Sequence, residues 1–598
     1  MILAALSDYY EKLEESKKVA TIGYATAPIS YALVINSNGD LVDVEDLRDT
    51  STKQIRPKSF IVPQQGIRTS GIAPNIFWDK TSYVLGVSLT SKRIKEEHEA
   101  FVQFHFNLIK DSDDLGLQSF LLFLKKWDPK EFEKNNLLYP LKETILDSNL
   151  VFRLDGDLCY LHERKAAKEL RSKLLSSTNE EEINTCLVSG EQANIERVHT
   201  NIKGVNGAQT AGASIVSFNK NAFESYGKEQ GANAPVSEHA AFAYTTALNY
   251  LLRRDMTNRQ RLQLGDATVV FWAKAKSQAS IEAGEDLFAA FMDPEAKDEQ
   301  EAEKLKRALE AVRQGRPLTD LNKELTDDIQ IFILGLAPNA ARLSIRFWQA
   351  DSLQVFAKRL AQHYEDLRIE PLPWRTPPAI WRLLQTTAPI RNGKSKSEDI
   401  PPHLAGEVTR AVLTGNAYPY SLLSHLLMRF RADGEVTGLR VALIKAVITR
   451  FNRLTKTAKF KGEMPVSLDI ANTQPGYLLG RLFAALEKIQ QDALGGDLNA
   501  TIRDRYYGAA SATPAHIFPV LLRNTQNHLG KIRKDKPGLA VNREKIIGEV
   551  LDNIGSNFPK SLRIEAQGQF ALGYYQQRQA FFTKKENIEV ENLTEDTE

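Results

Sequence analysis

Cysteine is nearly absent: Cys159 and Cys186 are the only two in 598 residues. Two are too few for a disulfide framework or a four-ligand zinc site, and they suit a reducing, cytoplasmic compartment. No run of eighteen apolar residues occurs, so no membrane-spanning helix is expected. The opening MILAALSDYYEKLEE puts Asp8 and Glu11 in its first turns and lacks a basic start, so no secretory leader is expected. Net charge is only +2, so a nucleic-acid partner must be argued from where the charge sits. Catalytic signatures are missing as well. Residues 207–214 have P-loop spacing, but Ala213 stands where the lysine is needed, and nucleotide hydrolysis is rejected. Cys186, His199 and His239 share no metal-ligand spacing, and His98-Glu99 lacks the second histidine of a zincin. No nucleophile elbow, paired-aspartate nuclease signature or helicase motif is present. The expectation is a non-enzymatic protein with no metal and no cofactor.

Apolar residues make up 42% and charged residues 25%, the usual balance of a globular chain long enough for several cores. The predicted fold is an α+β N-terminal body over residues 1–370, a Pro-rich linker over 371–402, and an all-α helical bundle over 403–598. In the body, Asn38-Gly39 and Asp155-Gly156 each predict a hairpin, because such pairs adopt the positive φ of a tight turn. Strands are expected at 215–218, 268–273, 329–336 and 341–349, and helices at 92–110, 115–127, 296–313 and 351–364. The tryptophans read as core. Arg342 and Arg346 either face RNA or pair with Asp327 or Asp328. Seven prolines fall within 371–402, and beyond them strand signals give way to helical periodicity.

Two regions invite binding. Residues 186–254 are rich in glycine and short amides, with spaced lysines, and end in a helix that Ser237 and Glu238 open. Amides and lysines on such a segment suit contacts to phosphates and base edges, while the bland alternative is a structural loop. Tyr226 and Phe223 either stack on bases or are buried, and their spacing favours burial. The second region is basic. Residues 401–585 hold 26 Lys and Arg against 14 Asp and Glu, an excess of 12. Between Arg440 and Lys461 there are seven bases and no acid, a run that either binds phosphate or is a solvated helix face.

The patterns C-x-V-x-G at 186–190, R-x-H-x-x-I-K-G-V at 197–205, A-x-x-V-S-F-N at 213–219, F-x-S-Y-G at 223–227 and N-A-P-V-S-E at 233–238 resemble the large subunit of the type I-C CRISPR Cascade complex. GIRTSGIAPNIFWDKTSYVLG at 66–86, ILGLAPNAARLSIRFW at 333–348 and YLLGRLFAALEKIQ at 477–490 extend the resemblance over nearly the whole chain. It implies a non-catalytic subunit that reads the protospacer-adjacent motif (PAM) on duplex DNA, helps open it, holds the displaced strand and recruits a helicase–nuclease. The partners implied are CRISPR RNA, target double-stranded DNA, the Cascade backbone and 5′-handle subunits, and a small helical subunit. The rival class is a nucleic-acid-processing enzyme, such as a nuclease, with an unrecognised site. Motif reading is placed on Arg68, Thr69, Ser70, Gly71 and Asn75 together with Lys203, Asn206, Gln209, Lys220, Tyr226 and Lys228. Displaced-strand contacts are placed on Arg440, Lys445, Arg450, Arg453, Arg503, Arg505, Lys531, Arg533, Lys534 and Lys536. The resemblance further implies a small subunit translated separately, for which Met464 offers a start and residues 464–598 the length.

Overall fold

The computed structural model describes residues 1–49, 55–65, 71–177, 183–255, 257–294, 299–391, 393–455, 464–495, 500–555 and 557–582. They form two compact units. The first comprises Met1–Ile202 and Ser214–Tyr250, the second Lys203–Ala213 and Leu251–Glu598.

In the first unit, β1 (Tyr24–Ile29) pairs with β4 (Lys58–Pro63), and β2 (Tyr31–Ile35) with β3 (Leu41–Asp46). The expected Asn38-Gly39 hairpin is present, with Gly39 at φ 81°. β5 (Trp78–Lys80) and β6 (Asn149–Leu154) complete a sheet of order β3-β2-β6-β5. The hairpin expected at Asp155-Gly156 does not form. β6 instead runs parallel to β2, setting Leu33 against Phe152, and only an isolated Arg153–Tyr160 bridge remains of the return strand. Burial decides this: Leu150, Val151 and Phe152 are fully enclosed, which requires a central strand. The helices Ile94–Ile109 and Leu115–Lys126 bury Phe101, Leu117 and Phe120 in that core. β7 (Ile183–Thr185) and β8 (Gln192–Asn194) make a small separate hairpin.

The second unit is built on an antiparallel sheet of order β12-β11-β10-β9. Its strands are β9 (Arg261–Leu264), β10 (Ala267–Lys274), β11 (Gln330–Asn339) and β12 (Arg342–Ser352). Val269, Phe271, Ile331, Ile333 and Phe347 face the helices Gln278–Met292 and Leu353–Leu367. The same core continues through Leu404, Val408, Ile444, Leu478 and Leu482 into the C-terminal helices. Two expected boundaries are therefore corrected. Residues 371–402 are not a linker, because Ile380, Leu383, Leu384, Ala388 and Ile400 are buried in this core. Residues 403–598 are not a body of their own, since they share one core with the sheet. The strand expected at 215–218 is also absent; Ile215, Val216 and Phe218 are half-buried without ladder partners. The helix Ile502–Ala512, opened by a Thr501–Asp504 capping box, is an addition that periodicity did not show.

Helical C-terminal residues pack unusually closely. The helices Pro475–Leu494 and Ile564–Ala580 cross where a Cβ on Gly480 would lie 2.1 Å from the Phe570 carbonyl oxygen. A Cβ on Gly573 would lie 2.2 Å from that of Tyr477, so only glycine allows this approach. Met464, 7% exposed, is part of the same core. No helix among the described residues is long and apolar enough to cross a membrane.

Candidate nucleic-acid interface

The central stretch is anchored at Cys186. Its backbone N–H donates to the Glu191 carbonyl and its carbonyl accepts from Gly190 N–H, both at 2.8 Å. The thiol sulfur accepts from the backbone N–H groups of Ser237, Val188 and Ser189 at 3.2, 3.4 and 3.5 Å. Burial raises the thiol pKa, but the hydrogen bonds from Ser237 and Ser189 outweigh it and bring it down to about 7. These contacts join the β7–β8 hairpin to the start of the helix Glu238–Leu251, where the expected Ser237 cap accepts from Ala240 N–H at 3.2 Å. His199 is buried, with Nδ1 2.7 Å from the Tyr244 hydroxyl.

Beyond this anchor, residues 219–230 are exposed without interruption. Ser225 and Lys228 form a bridge, with Lys228 N–H donating to the Ser225 carbonyl at 3.0 Å. Between them Tyr226 and Gly227 lie at φ 55° and 68°, the paired left-handed residues of a type I′ turn. Tyrosine has no local means of relieving that conformation, which costs about 1–2 kcal/mol. Tyr226 is nevertheless 100% exposed, so packing does not offset the strain. Asn233 holds the loop in shape. Its Oδ1 accepts from Ser225 N–H at 2.9 Å, and its Nδ2 donates to the carbonyls of Lys228 and Gln230 at 2.9 and 3.1 Å. Gln230 is also left-handed, so two of the six non-glycine residues at positive φ among the described residues lie in this one loop. Lys220 and Lys228 are exposed on it. The expectation that Tyr226 is buried is thus corrected. Its sequence surroundings held the signal: among the i±3 and i±4 positions Phe223 is the one large apolar residue, beside Ala222, Glu229 and Gln230.

The other motif-reading residues fall in both units. Arg68, Thr69 and Ser70 lie outside the described residues. Gly71 is exposed and borders a polar cavity of about 260 Å³ that Lys80, Ser88, Arg93 and Asp147 also line. Asn75 is 2% exposed, with its N–H donating to Asp79 at 2.9 Å, so it has no reach to a base edge. Lys203, Asn206 and Gln209 belong to the second unit. Lys203 and Gln209 are exposed there, whereas Asn206 is committed to the fold. Its Oδ1 accepts from Arg261 and Arg254 at 2.7 and 3.2 Å, and its Nδ2 donates to Gln263 at 2.6 Å.

The basic run turns inward. Arg450 is fully buried, donating to Asp366 at 2.8 Å and to the Ala411 carbonyl at 3.0 Å, with its guanidinium 4.3 Å from the Tyr418 ring centre. Arg453 makes a two-pronged pair with the same Asp366 at 2.7 and 2.9 Å. Lys445 donates to the Asp366 carbonyl at 3.2 Å, and Arg440 to Asp433 at 2.5 Å. Arg440, Lys445 and Arg450 are 1%, 3% and 0% exposed, so strand binding by them is corrected to a structural role. Burial raises the Asp366 pKa, but the Arg453 and Arg450 partners outweigh it and hold its carboxyl below the ordinary range. Lys456, Lys459 and Lys461 lie outside the described residues. Arg505, Lys531, Arg533, Lys534 and Lys536 are exposed; Arg533 pairs with Glu544, while Arg503 is partly covered beside Asp504. Arg346 pairs with Asp266 at 2.6 Å rather than with Asp327 or Asp328.

Among the described residues no group of three or more His, Cys, Asp or Glu side chains is placed to hold a metal ion. No curated protein matches the chain. A family does: over residues 6–582 the sequence fits the model described as CRISPR-associated protein (Cas_Csd1), and the chain therefore belongs to that family, the large subunits of type I-C Cascade.

Proposed function

We propose that the chain is a non-catalytic, cytoplasmic large subunit that recognises the protospacer-adjacent motif on duplex DNA, assists strand opening, holds the displaced strand and recruits the helicase–nuclease. Its partners in this reading are CRISPR RNA, the backbone and 5′-handle subunits, and a small helical subunit, with a product starting at Met464 as the source of the last. In such complexes base pairing reads the target, while protein reads a short motif and DNA shape. The observation that carries the proposal is the loop 219–230, a strained and braced turn that presents the fully exposed Tyr226 ring, a partly exposed Phe223 and two lysines to solvent. Strain kept at an exposed site is explained by what the site contacts. A ring stacks on any base face and lysines meet phosphates, so this loop suits the edge of an opening duplex.

Tyr226→Ala in the full chain is expected to weaken binding to motif-containing DNA by about 1–3 kcal/mol, the worth of a base–aromatic stack. Tyr226→Phe keeps the ring and should retain most of that affinity. Asn233→Ala loosens the loop and should fall between them. Electrophoretic titration reads all three, and wild-type affinity for Tyr226→Ala would remove the loop from the interface.

A further inference from the structure

The C-terminal helices contain a small arginine-lined cavity that the basic run does not include. The helix Tyr420–Asp433 ends at Gly434, left-handed at φ 68°, and the helix Ile502–Ala512 begins close by. Between them lies a cavity of about 220 Å³, lined among others by Arg431, Arg503, Arg505 and Tyr507. The Arg431 stem lies against Gly508, 3.6 Å from where a Cβ would be, an ordinary contact distance.

Charge in this cavity is unbalanced. Three arginines face one acid, Asp504, which accepts from Thr501 N–H at 2.7 Å and from Arg503 at 3.3 Å. Arg431 donates to Gln567 at 2.6 Å, a neutral partner that leaves its charge uncancelled. Arg505 is exposed and has no partner among the described residues. Two buried donors are also unsatisfied. The Tyr507 hydroxyl has no hydrogen-bond partner although the residue is only 6% exposed, and neither does Arg503 Nε. Buried donors normally have acceptors, so a ligand rich in acceptor oxygens is indicated.

We propose that Arg431, Arg503, Arg505 and the Tyr507 hydroxyl form a phosphate-binding pocket. Arginine forks match phosphate oxygens two at a time, and the hydroxyl donates a further hydrogen bond. The phosphate is either one unit of a nucleic-acid backbone or a free phosphate group. The first source rests on the reading of this region as the holder of displaced strand; the pocket itself does not.

The test uses the full chain and two probes, inorganic phosphate and a labelled single-stranded oligonucleotide. Phosphate should raise the melting temperature of the wild type, since a ligand that binds only the folded state stabilises it. Arg431→Gln/Arg505→Gln should lose that rise, Tyr507→Phe should reduce it, and Lys545→Gln, an exposed base outside the pocket, should keep it. Both replaced arginines are exposed, so the fold should be unaffected. With the oligonucleotide, the double variant should bind about tenfold more weakly with a salt slope lower by about 2. A phosphate response without any oligonucleotide effect assigns the pocket to free phosphate and removes it from the strand path. Equal phosphate responses in wild type and double variant, or none in either, would overturn the pocket.

Discussion

Arg450→Ala is expected to destabilise the second unit by about 3–5 kcal/mol and to leave the salt dependence of DNA binding unchanged. Arg450 is fully buried and shares Asp366 with Arg453. Removing it strands a carboxylate that is 1% exposed with only part of its compensation. It also removes the ring contact to Tyr418 and the hydrogen bond to the Ala411 carbonyl. The cost is the uncompensated charge more than the lost attraction. Asp366→Leu/Arg450→Met, which removes both charges, should therefore recover part of the loss, because the two residues are coupled. Urea unfolding of the three variants measures this. A variant with normal stability but a flatter salt slope would return Arg450 to the DNA-binding surface.

The second large effect is on acid stability. His105, His162 and His199 in the first unit and His363 in the second are each at most 5% exposed. Burial lowers the first three to about 4, and burial with the nearby Arg450 charge lowers His363 to about 3. Their ordinary value is 6.5, so below it the unfolded chain takes up protons that the folded chain refuses. Their stabilising contribution is complete above pH 6.5 and is lost as pH falls towards 4. Each histidine accounts for on the order of 3 kcal/mol over that window. His105 shows the structural consequence. Its Nε2 accepts from Phe77 N–H at 2.9 Å, its Nδ1 donates to the Phe101 carbonyl at 2.9 Å, and protonation of Nε2 removes the first bond. With three of the four, the first unit should unfold at a higher pH than the second. Thermal melts between pH 7 and 4 should show one transition splitting into two, and constant melting temperatures would contradict the assignment.

Local rules were readable in the sequence where the physics is local. Asn38-Gly39 specifies its turn, Ser237 caps its helix, and the apolar alternation of 330–352 specifies two adjacent strands. Long-range partners were not readable. Arg450 and Asp366 lie 84 residues apart, and nothing in a run of bases distinguishes a buried face from a solvated one. The unit boundary was hidden for the same reason. Ile380, Leu383 and Leu384 sit among prolines that mark turns, and a turn can border a core as well as a linker. At the candidate interface, glycines and lysines marked residues 186–254 as a candidate binding segment, whereas the left-handed Tyr226 and its Asn233 brace needed coordinates. The pocket at Arg431 joins two helices more than 60 residues apart in sequence, so composition alone singled out Arg503 and Arg505 as candidates without their partner.

The most direct measurement incubates the purified full chain with labelled duplex DNA, single-stranded DNA and RNA in the presence of divalent metal, across a salt series. The result expected of a non-catalytic subunit is retention of nucleic acid that weakens steeply with salt, with every substrate strand intact. Cleavage products that accumulate with time and vanish on chelation would contradict it, because the chain would then itself be a nuclease.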